Sequence, residues 1–200
     1  MIKITKSLLI ILIALNFLEQ FFILLFLAIA HEMGHMAMAF FLGERPKKIT
    51  LTVLGPIGFV ENFENISDNK KIAILLAGPI VSLILIFTFK NNHNLMGANL
   101  VILLFNLLPI YPLDGGQIFF IIMSKRIGML NANILSIKIA KIFLVFIYIL
   151  GVIQMTLFLF NPSLIVLSLY LNKKSKEYYI KIYYSFFKKA LGNVAKLHEV

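Results

Sequence analysis

Ala30-His31-Glu32-Met33-Gly34-His35-Met36 lies inside the apolar run 21–41, and its reading decides the fold. Ionisable side chains are costly at membrane depth, so two imidazoles and a carboxylate within five residues of an apolar helix need a common partner. The spacing of His31 and His35, i and i+4, stacks both rings on one helical face, where two nitrogens can bind one ion. Glu32, one position on, points to the side, where it can act on a metal-bound water instead of on the metal. Gly34 and Ala37 are small, which lets another helix or a substrate backbone come close.

The surrounding composition fits that setting. The chain has 200 residues, 60% of them hydrophobic and only 14% charged, with a mean hydropathy of +0.92. A water-facing globule needs roughly a quarter of its residues charged, so both a soluble domain and a disordered chain are excluded. With no cysteine there can be no disulfide, thiolate zinc site or cysteine nucleophile, and any metal must be held by nitrogen and oxygen. The net charge of +10 is explained by basic residues collecting on cytoplasmic loops, and no nucleic-acid partner is expected.

Working outward, the first apolar stretch is too long for one crossing, and a break at Glu19-Gln20 divides it into spans 5–18 and 21–41. Further spans are expected at 72–89, at 98–123 with an interruption over 109–116, at 142–160 and, shortest, at 163–171. Six crossings place 18 of the 19 Lys and Arg on one face and only Lys90 on the other, which orients both termini to the cytoplasm. A signal peptide ending before His31 is the rival reading, but Glu19-Gln20 interrupts its apolar region and the run continues past the cleavage site. The fold class is therefore an all-α polytopic membrane protein with about six transmembrane helices. Between the second and third spans Ile49-Thr50-Leu51-Thr52-Val53 alternates, and Gly55-Pro56 and Gly58 offer a turn before Phe59-Val60, which predicts a small interfacial β-hairpin. Residues 1–172 form the membrane domain, and 173–200, where lysines mix with Tyr-Tyr and Phe-Phe, form a basic tail suited to a lipid bilayer surface.

A catalytic zinc site keeps three protein ligands and one open position, so one ligand is missing from the first helix. Asp114 is the only other acidic or histidine side chain that these spans place at depth. Its setting, Asn106-Leu107-Leu108-Pro109-Ile110-Tyr111-Pro112-Leu113-Asp114-Gly115-Gly116, has two prolines and two glycines that should break the helix, which a membrane tolerates only inside protein or along a wet cavity. Membrane histidines can also be hydrogen-bonded glue between helices, and a Pro-Gly break can be a kink. Burying Glu and Asp without metal or partner, however, costs several kcal/mol. On its own, Gly78-Pro79 reads as a packing kink.

Taken together these residues resemble the site-2 protease family of intramembrane zinc metalloproteases. The resemblance rests on the HEMGH helix, the hairpin-like segment after it, Ala77-Gly78-Pro79, and a match of Asn106 to Gly115 with the pattern N-x-x-P-x-x-x-L-D-G. It implies His31, His35 and Asp114 as ligands of one Zn2+ per chain, Glu32 as catalytic base, and Asn106 as a substrate-positioning or oxyanion-stabilising residue. It further implies a multi-pass enzyme of a bacterial cell membrane, with a membrane-associated protein as substrate and membrane inhibitor proteins as further partners. The layout is most like the stage IV sporulation branch, which processes a pro-sigma factor, but only about 30 residues follow the sixth span, so that branch's C-terminal CBS domain is not expected. A divalent metal transporter or a catalytically silent membrane scaffold is the contrasting class, and neither has a comparable need for a base beside the first ligand.

Overall fold

The computed structural model describes residues 6–52, 55–157 and 162–197, and the chain divides into two compact units, Met1–Phe105 and Asn106–Val200. The first unit holds α1 (Lys6–Phe41), β1 (Pro46–Thr52), β2 (Gly55–Val60), a 3-10 turn at Phe63–Asn65, α2 (Asp68–Thr88) and all but the last residue of α3 (His93–Asn106). The second holds α4 (Asp114–Ile127), α5 (Met129–Leu157) and α6 (Ser163–Leu197).

α1 runs 36 residues without interruption, so the break expected at Glu19-Gln20 does not occur. The physical reason is that Glu and Gln are good helix formers that leave the i to i−4 ladder intact; only Pro or Gly would have broken it. The helix stops at Gly43, whose φ of +77° begins the reversal. Gly43 N–H donates to Phe40 O at 3.0 Å and Glu44 N–H to Ala39 O at 2.9 Å, the paired bonds of a Schellman cap. Lys70 closes the end from α2, donating to Leu42 O at 2.9 Å and to the Glu44 carboxylate at 2.7 Å.

The cap delivers the chain straight into the hairpin, which forms as expected. β1 and β2 pair antiparallel with Ile49 opposite Gly58 and Thr52 opposite Gly55, and one irregularity falls between Pro46 and Lys48; Val53 lies outside the described residues. Buried Ala39, Ile66 and Ile74, with Met38, Leu42, Val60 and Phe63 against them, join the end of α1, the hairpin and α2 in one apolar cluster. Gly34 permits the close approach of α1 and α2: a Cβ there would stand 2.8 Å from Ala77 O and 2.8 Å from Val81 Cγ2. Ala37, expected to share that role, is exposed instead.

Among the described residues, three helical stretches are each long and apolar enough to cross a bilayer: Glu19–Phe41, Asp68–Thr88 and Met129–Leu157. The helix that carries the fifth span begins at Met129, ahead of the span expected from residue 142, because Asn131, Asn133 and Lys138 are accommodated within α5. The fourth breaks where its prolines and glycines said it would, between α3 and α4, each 14 residues long. In the second unit α5 and α6 run antiparallel: Asn133 Nδ2 donates to Tyr179 O at 3.2 Å, while Gly151 packs against Ile165. Phe120, Ala132, Tyr179 and Ile182 form the buried core of this unit.

Candidate metal centre

His31 and His35 are 2% and 8% exposed on the face of α1 that meets α2. Each ring is fixed through Nδ1. His35 Nδ1 stands 2.8 Å from Ile74 O, and since a carbonyl only accepts, that nitrogen carries the proton and Nε2 keeps its lone pair. The Gly78 N–H lies 3.3 Å from the same Nδ1; the shorter contact sets the tautomer. His31 Nδ1 meets the hydroxyl of fully buried Ser82 at 2.9 Å, and Ser82 O in turn accepts from Asn99 Nδ2 at 2.7 Å. A second layer of partners orients both rings from α2 and α3.

The result is a pair of Nε2 atoms 3.3 Å apart on rings inclined at 84°. Two ring nitrogens at that distance need either a proton or a cation between them. The space for a cation is present because residue 78 has no side chain: a Cβ there would fall 2.3 Å from His35 Nε2 and 2.7 Å from His31 Nε2. Gly78, which the sequence alone presents as half of a packing kink, is thus the open wall of the site. Ligand atoms of His31, Glu32 and His35 all lie within 4.8 Å of one another, a nitrogen and oxygen donor set that suits Zn2+.

Glu32 is held from the hairpin. Its Oε2 accepts the Gly58 N–H at 2.7 Å, so β2 packs its backbone directly on the carboxylate. A side chain at residue 58 would obstruct this, since its Cβ would stand 2.9 Å from Met36 Sδ and 3.1 Å from Glu32 Oε2. The structure therefore brings together three of the expected site residues, adds Ser82 and Gly58, which carry no motif in the sequence, and gives a role to Gly78 of the Ala77-Gly78-Pro79 segment. In the sequence Gly58 is visible only as a glycine of a turn.

Asp114 and Asn106 belong to the second unit. Asn106 is the last residue of α3, and Asp114 is the first of α4 and 8% exposed. The seven residues between them fold back on α4. Cβ atoms at Gly115 and Gly116 would collide with the backbone of Leu107 and Ile110, which explains the Gly-Gly pair after the aspartate. Ile110 N–H donates to Leu108 O, Leu113 N–H to Ile110 O, and Gln117 Nε2 to Pro112 O at 2.9 Å, so local bonds satisfy part of the broken backbone. α6 clasps the segment from outside: Ser175 Oγ donates to Tyr111 O, and the rings of Tyr178 and Tyr111 stack 3.6 Å apart at 3°.

No family model matches the chain. Among curated proteins it is 33% identical over 160 residues to a zinc metalloprotease of Methanocaldococcus jannaschii, covering 72% of this chain and 46% of that one. It is 34% identical over 126 residues to stage IV sporulation protein FB of Bacillus subtilis, covering 58% and 44%. The chain thus spans about half the length of the curated relatives it matches. Among solved structures the site-2 protease from Methanocaldococcus jannaschii superposes with a TM-score of 0.61 at 27% identity, over 84% of each chain. The sequence likeness, the shared fold and the paired histidines beside Glu32 all point to the site-2 protease family.

Proposed function

We propose that the chain is an intramembrane zinc metallopeptidase that hydrolyses a peptide bond within or near a membrane-associated segment of a protein substrate. The observation that carries the reading is the pair of Nε2 atoms 3.3 Å apart, each ring anchored through Nδ1, with Glu32 beside them. His31 and His35 would hold one Zn2+ per chain with Asp114 as third ligand, and Asn106 would position the substrate carbonyl. When bound, zinc supplies Lewis acidity to that carbonyl and makes a water acidic enough to lose its proton near neutral pH. Glu32 takes that proton and later delivers it to the leaving amine. Its hydrogen bond to Gly58 N–H keeps the carboxylate aimed during both transfers. A helical substrate hides its carbonyls in i to i+4 bonds, so it must unwind, and β2, lying against Glu32, is the strand beside which an opened segment would pair.

The remaining topology follows composition and charge: a multi-pass bacterial membrane protein, residues 1–172 as the protease domain and 173–200 as a basic interfacial segment. The likeness to stage IV sporulation protein FB supports a membrane-associated sporulation pro-sigma factor as substrate. The test is co-expression with such a pro-protein in a host lacking both. The unaltered chain is expected to process it, whereas Glu32→Gln retains zinc and lowers cleavage by at least about 100-fold, the loss of general acid-base catalysis. A Glu32→Gln chain that still cuts would overturn the assignment. Processing by neither, with zinc bound to both, would leave the metal centre and remove the sporulation substrate.

A further inference from the structure

The second unit contains a groove that the protease reading does not use. α5 presents Asn133, Ile137, Ala140, Lys141 and Leu144, residues at helical spacings that form one stripe. α6 runs antiparallel to it, and between them lies a cavity of about 360 Å3, a size that holds small ligands. The walls are mainly apolar, from Ile137, Ala140, Leu144 and Ile180. Lys141 from α5 and Lys176 from α6 stand at its rim, beside Tyr183.

Three observations define the occupant. Lys141 and Lys176 come from different helices, and neither has an ion-pair or hydrogen-bond partner among the described residues, while the nearest acid in sequence, Glu177, is engaged by Lys174 at 3.0 Å. Two unneutralised cations over an apolar cleft match a phosphate carried on hydrocarbon. Asn133 lines the groove, is 3% exposed, and has spent its amide N–H on Tyr179 O, so its Oδ1 is buried with no donor. That acceptor suits a hydroxyl of the head group. Finally, Lys138 and Lys141 stand where the charged part of α5 gives way to the lysine-free stretch 142–157, the level of a bilayer at which head groups lie.

We infer that the α5–α6 groove is a binding site for an anionic glycerophospholipid of the phosphatidylglycerol type, its phosphate between Lys141 and Lys176, its head group toward Asn133 and an acyl chain leaving along Leu144 toward the lysine-free stretch. The inference does not depend on the protease reading, since every residue it uses lies outside the metal centre.

The experiment is native mass spectrometry of the full chain released from detergent after incubation with dioleoyl phosphatidylglycerol, dioleoyl phosphatidylcholine or sn-glycerol 3-phosphate. The unaltered chain should retain one phosphatidylglycerol at least fivefold more than phosphatidylcholine. The double variant Lys141→Gln/Lys176→Gln should lose that preference, and Lys138→Gln/Lys173→Gln, which removes the same charge from exposed neighbours outside the groove, should keep it. All four lysines are exposed, so neither variant threatens folding. Equal retention of both lipids, or equal loss of preference in both double variants, would overturn the site, the second by showing diffuse attraction to a basic surface. Displacement of the lipid by sn-glycerol 3-phosphate at similar concentration would overturn the lipid and assign the cations to a soluble phosphate.

Discussion

Gly78 tests the metal centre at the scale of one methyl group. Gly78 is buried inside α2 and Ala is the better helix former, so Gly78→Ala should leave helicity intact. The same methyl would sit 2.3 Å from His35 Nε2, inside any contact distance, and would occupy the space beside both ring nitrogens. Gly78→Ala is therefore expected to purify folded with zinc content reduced at least about tenfold, read by elemental analysis beside circular dichroism, in line with the 10- to 100-fold loss caused by disturbing a metal's surroundings. Full zinc occupancy would place the metal elsewhere. Ser82→Ala removes the His31 Nδ1 partner but adds no atoms, and should weaken zinc binding by about tenfold in competition with a chelator, leaving cleavage at saturating zinc nearly unchanged. The sequence reveals His31, Glu32 and His35 because their spacing is the chemistry. Ser82 was not legible, since one serine in an apolar helix announces nothing until the helix it faces is known.

At the scale of elements, α1 depends on how it ends. Nothing lies within 4 Å of a Cβ built on Gly43, so Gly43→Val meets no neighbour, and its cost is that of an L side chain at φ +77° alone. That strain is about 1–2 kcal/mol. A chain of this size should lose about 2–8 °C in thermal unfolding, with Gly43→Asn, which tolerates the left-handed region, losing less. Equal losses for Val and Asn would mean that packing, not backbone strain, sets the cap. The hairpin was legible from the alternation 49–53 and the glycines and proline after it, and the broken fourth span from Pro109, Pro112 and the glycines. No turn forms at Glu19-Gln20, because polarity without Pro or Gly does not interrupt a helix. The fused α6 was not legible either: its lysines suggested a separate tail, but lysine and tyrosine are both compatible with continuing the helix.

Across the molecule as a whole, alkaline pH separates the two units chemically. Burial in the core of the second unit pushes the Tyr179 phenol from its ordinary 10 up to about 12. The folded chain thus holds this proton where the unfolded chain has released it, so the stabilisation is complete below pH 10 and is lost as pH rises toward 12. Two units correspond to about 2–3 kcal/mol at most. Tyr179→Phe should remove this step, shifting the alkaline unfolding midpoint of the second unit upward as followed by near-ultraviolet dichroism; an unmoved midpoint would show that another group governs it.

The clasp of Ser175 and Tyr178 on Tyr111 also has a consequence in time. The segment that leads to Asp114 is synthesised first, but the hydroxyl that holds it follows 64 residues later. At bacterial elongation rates of about 5–20 residues per second that interval is roughly 3–13 s. During it the nascent chain has already made its histidines and glutamate, yet Tyr111 has no partner on α6. The loop that presents Asp114 is thus made before the helix that braces it, and stays without the Ser175 hydrogen bond and the Tyr178 stack until α6 emerges.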